Sequence, residues 1–316
     1  VFPLPGSVFV HNRLTHSLEV ASVGMSLGND IASTLCRRPE LAANPLLSEL
    51  GQIVASACLA HDLGNPPFGH SGEKAIQTFF TEGKGMYLQQ KVSPEFWDDI
   101  THFEGNANAF RLLTHQFKGR RPGGFVMTYS PLASIVKYPH ASSLAGKKGK
   151  FGFFNSEGPI YERIAGEMGI LRKSEPGQPL RFARHPLVFL VEAADDICYE
   201  IMDIEDAHKL KLISFEQTRD LFLSFFDSKT QQSILNRIKA EKITDRNEQV
   251  VYMRACVIGK LENECVDAFL RNEEQILNGA FQGSLIKYIN PLQREAYKRC
   301  TDVAFGSIYH SKPVLD

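Results

Sequence analysis

The stretch that decides the fold is IVASACLAHDLGNPPFGH, residues 53–70. Eight apolar or small residues are followed directly by His61 and Asp62, and then by a glycine and two prolines, which end helices. We therefore predict a buried helix over about 48–62. The His-Asp pair at its end offers an imidazole nitrogen and a carboxylate oxygen to one space, which is typical of a metal site. An isolated pair of this kind is more often a capping histidine beside a satisfied acid.

Helical periodicity extends outward from this stretch in both directions. Over Arg13–Leu35 the apolar residues Leu14, Leu18, Ala21 and Met25 follow helical spacing, and we predict that this stripe faces the core. The same periodicity and its end signals predict further helices from about 71, over 105–117, 160–169 and 186–212, and in several segments beyond.

Residues 119–159 interrupt this rhythm with seven glycines and four prolines. We predict loops there with short extended or helical pieces, among them a small hairpin over 120–129, forming an irregular insertion or flap. Residues 213–316 resume helical patterning, and no internal repeat divides the chain. The prediction is one mainly α domain over 1–316. Because the chain opens with Val1 and reads at once like the middle of a domain, we expect both termini to be cropped.

Composition excludes several classes of protein. The 35 basic and 36 acidic residues leave a net charge of −1, so the chain lacks the basicity of a nucleic-acid coat protein or a polybasic membrane binder. No apolar run approaches the roughly eighteen residues of a membrane-spanning helix. The six cysteines include no CxxC pair and lie mostly in apolar segments, as reduced thiols do, which favours the cytoplasm.

A third segment carries acids where burial is expected. Asp195 and Asp196 follow an apolar run, and Asp195, Tyr199 and Asp203 are spaced four residues apart on neighbouring parts of one helix face. Like charges on an apolar helix repel one another and resist desolvation unless a cation or hydrogen-bond donors meet them. A divalent metal ion would satisfy this requirement.

Four blocks of sequence, in this order, resemble the deoxyguanosine triphosphate triphosphohydrolase family of the HD-domain superfamily. They are VFVHNRLTHSLEVA (8–21), HDLGNPPFGHSGE (61–73), KYP (137–139) and LVEAADDICYEIMDIED (190–206). The resemblance implies the helical HD-domain phosphohydrolase fold, with the 119–159 segment as an insertion. It also implies metal-dependent hydrolysis of a deoxynucleoside triphosphate (dNTP), dGTP by default, to a deoxynucleoside and inorganic tripolyphosphate.

By that resemblance, one divalent metal ion is bound by His16, His61, Asp62 and Asp195, with Asp196 as the alternative fourth ligand. We expect Mg²⁺ or Mn²⁺, with Fe²⁺, Ni²⁺ or Zn²⁺ as alternatives, because imidazoles and carboxylates together suit all of these ions.

The resemblance and the chemistry of phosphoryl transfer together suggest the catalytic residues. His70, with Glu73 three residues later to orient it, is the expected acid–base pair, and His102 is a secondary catalytic or phosphate-contacting candidate. Which proton His70 transfers stays open, and so does the alternative that His70 is a structural residue beside a helix start. Asn65 stands where related triphosphohydrolases carry a further histidine.

Cationic side chains are expected to contact the substrate, since a triphosphate carries more charge than one metal ion neutralises, and two tyrosines and one further acid are expected beside them. The candidates are Arg13, Lys137, Tyr138, Lys150, Tyr199 and Asp203. Tyr199 packed against C2′ of the sugar would disfavour a 2′ hydroxyl.

The expected partners are the dNTP substrate, further copies of the chain in a homo-oligomer, commonly a hexamer, and an allosteric nucleotide or single-stranded DNA; no membrane is expected. Two alternative functions stay open. One is an HD phosphohydrolase acting on another nucleotide phosphoester. The other is a nucleotide-binding or single-stranded-DNA-binding regulator with minor hydrolysis.

Overall fold

α-Helices carry the fold in the computed structural model, which describes residues 12–119, 122 and 124–309. In chain order they are α1 (Arg13–Leu35), α2 (Leu50–Ala60), α3 (Gly69–Thr81), α4 (Pro94–Thr101), α5 (Gly105–Thr114), α6 (Tyr129–Ser134), α7 (Gly158–Glu167), α8 (Val188–Lys209), α9 (Phe215–Leu223), α10 (Ser228–Ala240), α11 (Arg246–Arg271), α12 (Glu273–Leu277) and α13 (Pro291–Val303). Within the described residues, β pairing is limited to two isolated antiparallel bridges, His140 with Arg181 and Arg172 with Phe182. The prediction of a mainly α fold is confirmed.

Helix α8 forms the centre of the core, with α1, α2 and α11 packed against it. Its residues Leu190, Ala194, Ile197, Ile201 and Ile204 are fully buried. One apolar cluster connects these residues to both the N-terminal and the C-terminal helices. Because Asp195 lies in the middle of this buried helix, the core itself holds that carboxylate in place.

Helices α1 and α2 run antiparallel and touch through glycine. A Cβ atom added at Gly28 would lie 2.7 Å from the Cα of Gly51 and 2.8 Å from the carbonyl oxygen of Leu50, so the two backbones are in direct contact. Farther along the same seam His16 lies beside His61, with ring centroids 5.6 Å apart. The glycine contact therefore sets the separation at which the two histidines meet.

The predicted stripe of α1 is confirmed at Ala21, which is buried, and at Met25, which packs against the core, but it is wrong at its first two residues. Leu14 and Leu18 are 69% and 54% exposed, and the buried face instead includes Val20, Leu27 and Ile31. That face also carries His16 and two glycines, which an apolar count undervalues even though they lie at the tightest contacts of the helix.

Helix ends near the site differ from the prediction by a few residues. Helix α2 begins at Leu50 and ends at Ala60, so that Asp62 lies in the turn that follows. Helix α3 begins at Gly69 rather than Ser71, directly after Phe68, whose φ of 65° is in the left-handed region. The sequence analysis did not identify α4, which begins with a Ser93 cap and a proline.

The 119–159 segment combines loops with short helical pieces, as predicted. It contains α6, and its Phe151 and Phe153 are fully buried. Of the hairpin predicted over 120–129, residues 120, 121 and 123 lie outside the described residues, and the described remainder contains no strand. Buried aromatic side chains therefore attach much of this insertion to the helical body, and the described part does not form a detached flap.

All six cysteines are unpaired, and four of them, Cys58, Cys198, Cys265 and Cys300, are buried. In the part of the chain that the structure describes, no helix combines the length and the apolar character needed to cross a lipid bilayer.

Candidate active site

The ends of α1 and α2 bring together three side chains that could hold a metal ion. His16, His61 and Asp62 each offer one ligand atom, and these atoms lie within 4.8 Å of one another. Asp195 is outside that group of three but adjoins it, with its Oδ1 3.1 Å from His16 Nε2 and 3.5 Å from His61 Nε2. The structure thus brings the four predicted ligands to one place.

Local capping positions two of these side chains. Asn12 accepts hydrogen bonds from the backbone N–H groups of Leu14 and Thr15, which fixes the first turn of α1 just before His16. Beyond α2, Asn65 Nδ2 donates to Asp62 Oδ1 at 2.7 Å, which orients that carboxylate within the turn. Both amides hold positions next to the site without being ligands.

His61 is prepared to act as a ligand through Nε2. Its Nδ1 lies 2.6 Å from the carbonyl oxygen of Cys58, and because a carbonyl only accepts, Nδ1 carries the proton and donates. The buried Nε2 has no hydrogen-bond partner among the described residues, although carboxylate oxygens of Asp62 and Asp195 both lie 3.5 Å away. A buried nitrogen with acidic neighbours and no hydrogen bond is the arrangement that a cation would complete.

The charges of the site favour a cation in the same place. Burial lowers the pKa of His61, but the nearby carboxylates of Asp195 and Asp62 outweigh it and raise the pKa to about 9. Burial raises the pKa of Asp195, but the hydrogen bond from His16 and the charges of His61 and His16 bring it well below its usual range. Asp195 is therefore ionised, and the site holds positive charge next to it.

Asp196, the alternative ligand, has a different environment. Burial, followed by the charge of Glu192, raises its pKa to about 7. Tyr297 Oη donates to its backbone carbonyl oxygen at 2.9 Å. Asp195 lines the cavity beside the histidines and Asp196 does not. The geometry favours Asp195 as the fourth ligand.

A cavity of about 380 Å³ opens next to the four side chains, within the usual size range of small-molecule sites. Its walls come from the 61–73 segment, α5, α6, α8 and the 119–159 insertion. Polar side chains lining it are His16, His61, Asp62, Asn65, His70, Glu73, Glu104, Asn106, Ser134, Lys137, Tyr138, Lys150, Glu192, Asp195 and Tyr199.

His70 and Glu73 form the predicted pair at the cavity. His70 Nδ1 lies 2.8 Å from Glu73 Oε2, and Glu73 Oε1 accepts from the backbone N–H of Gly105 at 2.7 Å. Burial raises the pKa of Glu73, but the hydrogen bonds from His70 and Gly105 and the charge of Lys150 lower it overall. The His70 side chain is 86% exposed, whereas that of Glu73 is 8% exposed, so a fixed carboxylate orients an accessible imidazole.

Two lysines reach the cavity, each held by a buried acid. Lys150 Nζ lies 2.7 Å from Glu104 Oε1 and 3.7 Å from Glu73 Oε2. Lys137 Nζ lies 3.0 Å from Glu192 Oε1. Burial lowers the pKa of each lysine, but the charge of its nearest carboxylate, Glu104 or Glu192, raises it overall. Both lysines remain charged where a phosphate would meet them.

Three predicted residues do not line this cavity. Arg13 donates to the backbone carbonyl oxygens of Asn65 and Pro66, at 2.8 and 3.1 Å, and so attaches α1 to the 61–68 turn. His102 Nδ1 lies 3.0 Å from the carbonyl oxygen of Asp98, at the end of α4. Asp203 borders a smaller cavity behind His16. Asp203 is eight helical residues beyond Asp195, which is about 12 Å along α8, and so it lies outside the main cavity, whereas Tyr199 borders both spaces.

The sequence analysis missed Glu104, Asn106 and Glu192. Glu104 had a readable signal, because an acid directly before Gly105 at a helix start is an N-cap, and its carboxylate does accept from the backbone of Asn106. Glu192 had none, because its partners Lys137 and Arg184 are distant in sequence or outside its helix.

Comparisons with known proteins point to one family. Residues 13–138 match the HD domain. A deoxyguanosinetriphosphate triphosphohydrolase-like protein of Pseudomonas aeruginosa is 38% identical over 99% of this chain and 69% of its own length. A protein of the same name from Synechocystis sp. is 37% identical over 96% of this chain and 70% of its own length. A deoxyguanosinetriphosphate triphosphohydrolase of Yersinia enterocolitica is 29% identical over 92% of this chain and 64% of its own length.

Proposed function

The chain belongs to the deoxyguanosinetriphosphate triphosphohydrolase family of HD-domain proteins, and from that membership we propose that it is a metal-dependent nucleotide phosphohydrolase. Its reaction is cleavage of a dNTP, dGTP by default, to the deoxynucleoside and inorganic tripolyphosphate. The observation that carries this proposal is the convergence of His16, His61, Asp62 and Asp195 beside a cavity that also holds an oriented histidine and two lysines.

The four converging residues fit a divalent metal ion. Nε2 of His61 is buried and unpartnered among the described residues, and two carboxylates supply the negative charge that a divalent ion requires. Two imidazoles and two carboxylates suit Mn²⁺ and Mg²⁺, and also Fe²⁺, Ni²⁺ and Zn²⁺. When bound, such an ion polarises a phosphate oxygen and stabilises the charge that develops on it.

His70 is placed to move a proton. Its Nδ1 faces the carboxylate of Glu73, which leaves Nε2 as the nitrogen that exchanges a proton with the reacting groups. Glu73 keeps the ring in one orientation because Gly105 and Lys150 fix the carboxylate from other directions. His102 does not line the cavity and has no part in this scheme.

The substrate is held by residues of the insertion and of α8. Lys150 and Lys137 provide positive charge for the triphosphate, and Tyr138, beside Lys137, lines the same wall. Tyr199 is one helical turn beyond Asp195 on the cavity face of α8. We assign it to the deoxyribose, where a ring against C2′ excludes a 2′ hydroxyl. A Tyr199→Ala variant that kept full preference for deoxyribonucleotides would contradict that role.

Product analysis tests the proposal. Metal-free protein is reconstituted separately with Mg²⁺, Mn²⁺, Fe²⁺, Ni²⁺ or Zn²⁺, incubated with each dNTP, and its products are separated by chromatography. We expect deoxynucleoside and tripolyphosphate, with no turnover by His61→Ala or Asp62→Ala. Orthophosphate released from a dNTP would indicate cleavage at the terminal phosphate and would contradict the proposed reaction. Tight nucleotide or DNA binding without turnover would indicate a regulator.

Assembly is part of the same proposal. A homo-oligomer that responds to a second nucleotide or to single-stranded DNA is predicted from the family resemblance. Light scattering after size-exclusion chromatography, with and without dNTP, measures the size of the assembly.

A further inference from the structure

A second, smaller cleft shares a wall with the active-site cavity. Its volume is about 160 Å³, and Lys137 and Tyr138 line both spaces. The rest of the cleft is built by the bridge between His140 and Arg181 and by the segment after α12. We propose that this cleft binds an inorganic polyphosphate anion, namely the tripolyphosphate formed beside it.

The cleft concentrates positive charge. Four cationic side chains line it, Lys137, Lys173, Arg181 and Arg184. Among the ion pairs of the described residues, only Glu192 contacts any of them, and it is shared by Lys137 and Arg184. The whole chain carries a net charge of −1, so this excess is a local feature and not a consequence of composition. A cleft of this kind attracts a multiply charged anion.

Backbone carbonyls hold two of the cations in place: Lys173, which has no ion pair among the described residues, and Arg184, which also pairs with Glu192. Lys173 Nζ donates to the carbonyl oxygen of Gly279 at 2.6 Å, and Arg184 Nη1 donates to that of Gly283 at 3.0 Å. The Arg184 guanidinium also lies 4.3 Å from the ring centroid of Phe189. A neutral acceptor fixes the position of a cation but leaves its charge available, so the cleft is arranged before any anion arrives.

The size of the cleft decides which anion fits. Sites for organic ligands usually exceed about 300 Å³. At about 160 Å³ the cleft has less than half the volume of the neighbouring cavity, which suits a small anion better than a base and a sugar. A short chain of phosphates needs only a narrow space with cations around it. Lys137 borders both spaces, so an anion leaving the cavity along that wall meets the cleft next. The identity of the anion, though not the presence of a site, rests on the proposed function.

Titration calorimetry with sodium tripolyphosphate tests the site on the metal-free full chain. We expect the double variant K173Q/R181Q to lose one class of binding site, with affinity there falling roughly tenfold or more. The matched control K229Q/K239Q removes two exposed lysines of α10, which line neither space, and should bind like the unmodified protein. The charge-conserving variant K173R/R181K should retain the site, which separates loss of charge from loss of fold.

The outcomes are distinct. The proposed site is overturned if K173Q/R181Q binds tripolyphosphate as tightly as the unmodified protein does. It is also overturned if K173Q/R181Q and K229Q/K239Q lose the same affinity for tripolyphosphate. If dGTP competes with tripolyphosphate for the cleft and binds there with the higher affinity, the cleft receives the phosphate tail of a nucleotide. The assignment to the inorganic ion is then overturned. Because metal-free binding needs no turnover, the cleft can fail while tripolyphosphate still appears as a product. The reverse outcome, with binding but no such product, would contradict the proposed function alone.

Discussion

At the scale of single residues, the positions of Asp195 and Asp196 decide which of the two is the proposed fourth metal ligand. Asp195 lies beside both histidines, whereas Asp196 is buried near Glu192, away from them. The two residues share a helix and a residue type, so a comparison between them isolates the effect of position.

We expect Asp195→Asn to weaken Mn²⁺ binding by about 100-fold or more, since loss of a ligand exceeds the usual 10- to 100-fold cost of an outer contact. Asp196→Asn should bind Mn²⁺ within about threefold of the unmodified protein, because it changes no ligand. Electron paramagnetic resonance of free Mn²⁺ measures both affinities. Equal weakening by the two variants would mean that both carboxylates contribute, and a larger effect of Asp196→Asn would reverse the ligand assignment.

Glu73 is proposed to act through His70 and not on the substrate directly. We expect Glu73→Gln to lower kcat by about 100-fold, the lower end of acid–base contributions, because an amide no longer holds the His70 ring as a carboxylate does. A double-mutant cycle gives the decisive readout. In a His70→Asn background, Glu73→Gln should cost little more. Additive losses in kcat would show that Glu73 has a separate role, such as positioning Gly105 or Lys150.

At the scale of secondary-structure elements, the contact between α1 and α2 sets the distance between His16 and His61. Gly28 has no room for a side chain, because Gly51 and Leu50 of the neighbouring backbone occupy that space. Gly259, in the interior of α11, has no neighbouring atom within 4 Å of an added Cβ. The two glycines form a matched pair in which the substitution is the same and only the surroundings differ.

Gly28→Ala should destabilise the protein by about 1–3 kcal/mol, because the helices must separate. It should also weaken Mn²⁺ binding, because His16 moves away from His61. Gly259→Ala should be neutral or stabilising by up to about 1 kcal/mol, since alanine favours a helix. Chemical denaturation and Mn²⁺ titration of both variants check this. Unchanged Mn²⁺ affinity in Gly28→Ala would show that the helix contact does not set the ligand separation.

Local signals predicted elements better than they predicted contacts. The apolar run and the Gly-Pro turn predicted α2 and the turn after it to within two residues, and His16, His61, Asp62 and Asp195 do lie together. The stripe on α1 was wrong at Leu14 and Leu18, because the tightest contacts of the helix use glycine and histidine. Arg13 could not be placed, because its acceptors are backbone carbonyls 52 and 53 residues away, which no side-chain pattern reveals. Glu192 was missed because its ion-pair partners, Lys137 and Arg184, lie outside its helix.

At the scale of the whole molecule, several titratable groups with shifted pKa values make the stability of the protein depend on pH. Burial raises the pKa of Glu200 and of Glu262 to about 7, and such acids favour the folded protein at low pH. His185, at the start of the segment leading into α8, acts in the opposite direction. Its Nδ1 accepts from the backbone N–H of Leu187 at 3.3 Å, and burial lowers its pKa from 6.5 to about 4. The measured profile is the sum of these opposed contributions.

A His185→Gln variant separates the histidine from the acids. His185 has a lower pKa when folded than when unfolded, so its contribution to stability is complete above about pH 6.5 and is lost as the pH falls towards 4. Between pH 7.5 and 5 the unmodified protein should therefore lose about 2 kcal/mol more unfolding free energy than the variant. The acids are common to both proteins, and their contributions cancel in this difference. Urea denaturation at the two pH values measures it. Equal losses would mean that His185 is protonated in the folded protein, whereas a larger loss in His185→Gln would give the histidine the opposite sign.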